Sequence, residues 1–274
     1  MSVNYHNLPL GKASVYSDRY NPGLLVAVPR IQTRDFMQDP ADLPFYGSDE
    51  WNAFEVSWLD QKGKPRVNCV RLQYSAHSPA IVESKSFKLY LNSFNQTLFD
   101  NPLAVQSTVK NDIAACIGAD VACELLTLDD TGLQIQPWND LCIDFLDIAV
   151  EHYTPDATLL SCDPETTRTE TLVSHLLRSL CPVTGQPDWA SVRIHYRGPS
   201  ISHSQLLRYL CAFRQHQGFH EQCIERIFCD LWQHCQPESL SVEGRFTRRG
   251  GIDINPFRSS HPADRATGAR QARQ

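Results

Sequence analysis

The 274-residue chain has no run of 18 apolar residues, so the sequence predicts no membrane-spanning helix. Its first residues, Met1-Ser2-Val3-Asn4-Tyr5-His6-Asn7, have neither the basic start nor the apolar core of a secretory signal. No Cys-x-x-Cys pair occurs among ten cysteines, which removes the commonest zinc and redox spacing. No Gly-x-Gly-x-x-Gly follows a strand pattern, so a Rossmann cofactor site is not supported. A basic excess is also missing: 25 Lys and Arg face 31 Asp and Glu, for a net charge of −6. Residues 245–274 hold seven Arg and two Asp, or +5, which leaves −11 on residues 1–244. That distribution excludes a broad nucleic-acid surface and leaves room for one local anion site towards the C-terminus.

What is present suits a globular protein of one large or two ordinary domains: 42% hydrophobic and 20% charged residues. Without a signal, the ten cysteines read as reduced thiols, and the expectation is a cytoplasmic protein with no membrane partner. Residues 1–50, rich in Pro, Asn, Asp and Gly with one apolar run at Leu24–Val28, read as a wrapping segment. Phe54, Val56 and Trp58 then alternate with polar neighbours, and Asn68, Val70, Leu72 and Tyr74 alternate again after a Gly/Pro turn. Period two on both sides of such a turn predicts a β-hairpin. Helices over 86–94 and 97–115 and strands over 119–127 and 143–151 follow.

The same order recurs in the second half. A strand over Leu172–Leu180, the turn Cys181–Pro187 and a returning strand through Ala190, Val192, Ile194 and Tyr196 form a second hairpin. A helix capped by Ser202 or Ser204 and a stronger one over 219–235 come next. The latter carries Cys223, Ile224, Ile227, Phe228, Leu231, Trp232 and Cys235 as an apolar stripe. Strands over 239–247 and 251–256 close the unit. The expected organisation is therefore residues 1–155, residues 156–258 and a disordered tail over 259–274 without apolar periodicity.

Four segments carry chemistry-bearing residues. Cys181 ends a strand before a Pro/Gly turn, and Asp188 opens the returning strand, so one hairpin edge can offer a thiol nucleophile and a proton donor. Cys211, Cys223 and Cys235 instead fall on apolar helix faces, where a thiol behaves as a small hydrophobe. Glu83-Ser84-Lys85-Ser86-Phe87-Lys88 marks a loop-to-helix junction, where backbone N–H groups and ammoniums suit phosphate; an ordinary capped helix with a solvated basic face is the simpler reading. Glu83 offers a carboxylate to two donors of a guanine-like edge. Gly218-Phe219-His220-Glu221 opens the strongest helix and can hold a heterocycle by stacking and charge-assisted hydrogen bonds, although a Glu in a first turn also simply complements the helix dipole. His216, His220, Cys223, Cys229, His234 and Cys235 raise zinc, but the cysteines are six apart and Gly218 interrupts the His pair, so no metal is expected. Arg245-Phe246-Thr247-Arg248-Arg249-Gly250-Gly251 reads equally as a phosphate-binding turn or an exposed basic hairpin.

Together, Glu83–Leu89, Cys181–Asp188 and Phe219–Glu221 resemble the signatures of the NADPH-dependent 7-cyano-7-deazaguanine reductases, the nitrile reductases of queuosine biosynthesis. The resemblance covers about residues 50–258, and the placement of the blocks is similar to the long, two-domain branch. It implies an α+β tunnelling fold, tandem units whose antiparallel sheets assemble into a barrel with helices outside. It also implies a homodimer with active sites formed between units. The implied catalytic residues are Cys181, which would form a thioimidate, Asp188 as proton donor, and His220. Val82, Glu83, Ser84, Phe219, His220 and Glu221 would bind the substrate, and Ser84, Lys85, Arg249 and Gly250 would hold NADPH. The competing readings are a zinc-dependent purine- or pterin-processing enzyme of the same fold, and a non-catalytic module for a purine-like ligand or RNA. The −11 charge outside the C-terminal segment argues against RNA as a direct partner. The stretch 111–170, with 13 acidic residues against Arg168 alone, has no catalytic reading.

Overall fold

In the computed structural model, which describes residues 16–37 and 39–274, the first alternating stretch forms β2 (Tyr46–Leu59) and β3 (Pro65–Ser75). The wrapping segment is described from residue 16 onward; its first 15 residues and residue 38 lie outside the described residues. It contributes β1 (Ala27–Pro29), which pairs antiparallel with β4 (Ala80–Val82). Two helices follow, α1 (Ser84–Asn92) and α2 (Pro102–Ile117), then β5 (Val121–Leu126). α2 begins five residues later than the apolar pattern predicts because Asn101 caps it, its side chain accepting from the Ala104 N–H, and Pro102 takes the first turn, where no N–H is needed.

The second half contains β6 (Leu141–Cys142), β7 (Cys162–Leu180), β8 (Pro187–Ile201), α3 (His203–Ala212), α4 (His220–Cys235), β9 (Ser239–Phe246) and β10 (Ile252–Ser259). β7 reaches back ten residues further than its apolar part predicts. Its exposed, Thr-rich start has no side-chain pattern, yet Thr167–Glu170 pair with Tyr196–Pro199 of β8. The α4 stripe is buried as its spacing requires, with Cys223, Ile224, Ile227, Phe228 and Leu231 inside and Trp232 half-buried on the Phe228 ring.

The chain divides into two compact units. One comprises residues 16–34, 49–134 and 248–254; the other comprises 35–48, 135–247 and 255–274. In the first, β5, β3 and β2 are neighbours, β3 and β5 pair antiparallel, and α2 packs on β5 over Val105, Val109 and Ile113. In the second, the order is β10-β9-β8-β7-β6, antiparallel except for the parallel β6–β7 pair, with α4 against β8 and β9 and α3 against β7. The architecture is thus mixed α+β with mainly antiparallel sheets.

Three expectations about organisation need correction. The seam falls at 134/135 rather than 155/156. The predicted strand over 143–151 shrinks to β6, and it belongs to the second unit: Leu141 and Cys142 pair with Leu172 and Val173, and Arg193 holds Asp140 at 2.7 Å. The first unit therefore lacks the last strand of the repeat and takes residues 248–254 instead, where the Phe54 N–H donates to the Gly251 carbonyl at 2.9 Å. Finally, the segment expected to be a disordered tail is ordered by polar rather than apolar contacts. Thr267 donates to Glu243 from both its N–H and its hydroxyl, and Gln274 Nε2 donates to Asn255 Oδ1 at 2.6 Å. Side-chain amides and hydroxyls of this kind leave no hydropathy period to read.

Candidate active site

In the first unit, β4 ends at the buried Val82, and the Glu83 N–H donates to the Val26 carbonyl at 2.8 Å. Glu83 is fully buried and is the N-cap of α1: its carboxylate accepts from the N–H groups of Lys85 at 2.9 Å and Ser86 at 2.7 Å. The phosphate reading of these amides is therefore corrected, because a carboxylate already occupies the positive end of the helix. Burial raises the Glu83 carboxyl above its ordinary value, opposed by the two amides and by Lys88 and Lys85.

The turn that carries Arg249 and Gly250 belongs to the same unit. Gly250 has φ +59°, a conformation that favours glycine, and a Cβ there would stand 3.1 Å from Cδ and Cε of Lys88, so that side chain lies against the turn. Arg248 lies over the Phe54 ring, 4.6 Å from its centroid. Lys88 and the Arg248–Gly250 turn thus meet, with Ser84 and Lys85 opening the same helix. Guanidinium and ammonium groups together suit phosphate oxygens. Arg245, in contrast, leaves the anion-binding set: it is buried and holds Glu243 at 2.6 Å.

In the second unit, two backbone hydrogen bonds fix the end of β7. The Leu180 N–H donates to the His216 carbonyl at 2.7 Å, and the Gly218 N–H donates to the Leu180 carbonyl at 3.1 Å. They tie the residue before Cys181 to the segment that leads into Phe219, His220 and Glu221. Cys181, 4% exposed, closes the 181–186 turn through its N–H to Gln186 and its carbonyl from Gly185, whose φ of +68° the turn requires. Asp188 faces Ser179 across the hairpin and is buried, and its Oδ2 lies 3.4 Å from His220 Nε2.

His220 opens α4 behind the N-cap Phe219, itself half-buried. Its imidazole stacks on Phe246 with centroids 4.0 Å apart and planes 9° from parallel, and its Nδ1 is buried without a hydrogen-bond partner among the described residues. Glu221, the acidic residue of the first turn, is buried too. Burial pushes the Cys223 thiol up to about 12, and the charges of Asp188 and Glu221 add to that rise, so both carboxylates lie close to it. Cys223 is thereby kept as a thiol within the cluster.

In the second unit the structure thus ties the end of β7, before Cys181, to the segment that leads into Phe219, His220 and Glu221, and sets Asp188 against His220. Val82, Glu83, Ser84, Lys85, Arg249 and Gly250 lie in the first. The sequence reading missed two residues of the second cluster. Phe246 sat inside a segment read only for its arginines, and the cue to it was period two along β9. His216 was weighed only as a zinc ligand; its ring is largely enclosed, its Nε2 has no partner, and a Cβ on Gly218 would approach that atom to 2.8 Å.

Burial lowers the His216 pKa from 6.5 to about 4, with Arg226 acting in the same direction and Asp35 against it. The unfolded chain then binds more protons than the folded one between those values, so stability is lost as the pH falls from about 6.5 towards about 4. His216→Gln should flatten that part of the curve, as measured by urea midpoints across this range. Parallel curves for the two proteins would remove His216 as the cause.

Comparison with known proteins gives a consistent match. Residues 16–125 match the family described as nitrile reductase, 7-cyano-7-deazaguanine-reductase N-term, and residues 187–265 match the family described as QueF-like protein. The chain is 50% identical over 274 residues to the NADPH-dependent 7-cyano-7-deazaguanine reductase of Burkholderia lata, and 51% identical to that of Burkholderia vietnamiensis. Each alignment covers 99% of this chain and 100% of the relative. A crystal structure of the archaeosine synthase QueF-Like in the apo form aligns at TM-score 0.30 and 15% identity, over 34% of this chain and 91% of that one, a likeness too slight to bear on either fold or function. Two family matches and half-identity from end to end place the chain in the 7-cyano-7-deazaguanine reductase family.

Proposed function

We propose that this protein reduces the nitrile of 7-cyano-7-deazaguanine to the aminomethyl group of 7-aminomethyl-7-deazaguanine, in queuosine biosynthesis, with two NADPH consumed per product. The names of its full-length relatives support the reaction. The observation that carries the site assignment is the backbone tie between Leu180 and the 216–218 segment, which supports a reading in which Cys181 works with the Asp188–His220 pair.

A nitrile carbon is a soft electrophile suited to a thiolate. The Cys181 sulfur adds to it while the nitrogen takes a proton from Asp188, giving a neutral thioimidate rather than a strongly basic anion. Bound NADPH supplies hydride to the former nitrile carbon at two successive stages. After the first reduction and a second protonation at nitrogen, the carbon–sulfur bond breaks, Cys181 leaves with the bonding pair, and an imine remains for the second reduction. Two hydrides and two protons are thereby added in all, and the thiol is regenerated.

His220 assists proton transfer and positioning at Asp188. One ring nitrogen faces Asp188, so the imidazole can recharge the carboxyl after each transfer, and stacking on Phe246 holds the ring in plane. Glu221, with Phe219 beside it, accepts hydrogen bonds from the purine-like edge, and Val82, Glu83 and Ser84 line the base pocket. Glu83 does so with the lone pairs that its two amide contacts leave. The cofactor phosphates fall to Ser84, Lys85, Arg249 and Gly250, with Lys88 now added because its side chain lies against Gly250. A homodimer completes this reading.

Mixing protein, nitrile substrate and limiting NADPH should oxidise about two nicotinamides per aminomethyl product, the number that nitrile-to-amine chemistry demands. A ratio near one, with aldehyde or imine accumulating, would contradict the double reduction.

A further inference from the structure

The zinc spacing weighed in the sequence lies on and before α4, but among the described residues the thiol, carboxylate and imidazole whose ligand atoms come within reach of one ion lie elsewhere. The ligand atoms of Cys142, Asp144 and His175 are all within 4.8 Å of one another, and all three residues belong to the second unit. We propose that Cys142, Asp144 and His175 form a zinc-class divalent metal site that clips the acidic crossing segment onto β7, separate from the Cys181 chemistry.

The backbone builds this cluster. β6 pairs parallel with β7 at Leu141–Leu172 and Cys142–Val173, and the Ile143 N–H donates to the Val173 carbonyl at 3.0 Å. Cys142 and Asp144 flank the buried Ile143, so strand alternation turns both towards the side opposite the core. Asp144 is fixed further by the Ser174 hydroxyl on Oδ1 at 2.6 Å and by the His175 N–H on Oδ2 at 2.8 Å. Each carboxylate oxygen keeps a lone pair.

The imidazole is oriented from behind, as metal-bound histidines commonly are. His175 Nδ1 meets Ser191 Oγ at 2.8 Å, and with Nδ1 donating, Nε2 is left as the basic atom. A soft thiolate, an imidazole and one carboxylate favour zinc over magnesium or calcium, which prefer all-oxygen shells. Tetrahedral zinc needs about 3.3–3.8 Å between neighbouring ligand atoms, so closure asks for side-chain movements on the order of 1 Å. The fourth position is left to water. All three residues are partly exposed, and the neighbouring Phe145 is 91% exposed, so the ion has a path in.

Binding displaces the Cys142 thiol proton to solvent, and thiolate plus carboxylate then balance the double positive charge. The opposing charge is Arg273, whose Nη2 donates to the carbonyls of His175 and Ala190 and to Ser191 Oγ, and whose guanidinium feels the Asp144 charge. It makes the site weaker than a closed structural centre. The clip gives a purpose to part of the 111–170 stretch, which contains 13 acidic residues and one arginine: its strand pairing onto β7 is the two-residue β6, and a metal would reinforce it.

The test uses the full-length protein loaded with zinc, or with cobalt(II) as a spectroscopic stand-in, and freed of loose metal by gel filtration. About one ion per chain is expected, and the cobalt form should show a thiolate-to-metal charge-transfer band. Cys142→Ser and His175→Ala should abolish that band, and Asp144→Asn, which keeps the size and one of the two acceptor oxygens that Ser174 and His175 use, should weaken binding at least ~10-fold. Ser191→Ala, which removes the partner of His175 Nδ1, should weaken it by about 10–100-fold. Cys181→Ala should bind as the parent does. Absence of binding in the parent, an unchanged band in Cys142→Ser, or loss of the ion on Cys181→Ala would each overturn the assignment.

Discussion

Cys181→Ala is expected to lower nitrile-dependent NADPH oxidation by at least ~10³-fold, the scale on which enzymes lose rate when their nucleophile is deleted. Substrate should still bind, because the groups assigned to the purine edge, Glu221 and Phe219, are anchored by α4 and not by the thiol. The fold should also tolerate the change. Cys181 engages the 181–186 turn through its backbone N–H and carbonyl, which alanine retains, and a methyl group replaces a side chain only one atom larger. Single-turnover assays with equilibrium binding on the same variant separate the two effects. A variant with parental turnover would remove covalent catalysis from the account. A variant that neither binds nor folds would show that the turn depends on sulfur.

The second large effect is expected at Asp188. Asn preserves its size and one acceptor but cannot give up a proton, so addition to the nitrile would leave the nitrogen anionic. General acid catalysis of this kind is worth about 10²–10⁴-fold, and Asp188→Asn should lose rate in that range with little change in KM. His220 should stay in place, since its stacking on Phe246 does not involve the carboxylate. The pH–rate profile supplies the discriminating readout: the limb on which the parent's activity falls as the pH rises should be displaced or abolished in Asp188→Asn, whereas a purely structural role would lower rate uniformly at every pH. Unaltered kinetics would transfer the proton to another group.

How much of this was readable beforehand depends on what kind of interaction holds each part. The hairpins and α4 were legible because burial on one face imposes a period, two along β2, β3 and β8 and the apolar stripe along Cys223–Cys235. Cys181, Asp188 and His220 were legible as types in short segments, but the tie between those segments rests on the Leu180–His216 and Leu180–Gly218 backbone bonds, for which any residue could supply the atoms. Glu83 shows the opposite failure. Its position before a helix was read correctly, yet a carboxylate that could face a ligand was found capping its own helix. The 134/135 seam and the ordered 259–274 segment escaped because Asp140, Asp144, Thr267 and Gln274 act through single polar contacts rather than a repeated pattern.

The most direct test of covalent chemistry at Cys181 is the intact mass of the protein mixed with 7-cyano-7-deazaguanine in the absence of NADPH, followed by peptide mapping. The account predicts a gain of one substrate mass, located on the peptide that contains Cys181, absent from Cys181→Ala and reversed when NADPH is added. An adduct of equal yield in Cys181→Ala, or one mapped to another of the ten cysteines, would contradict it.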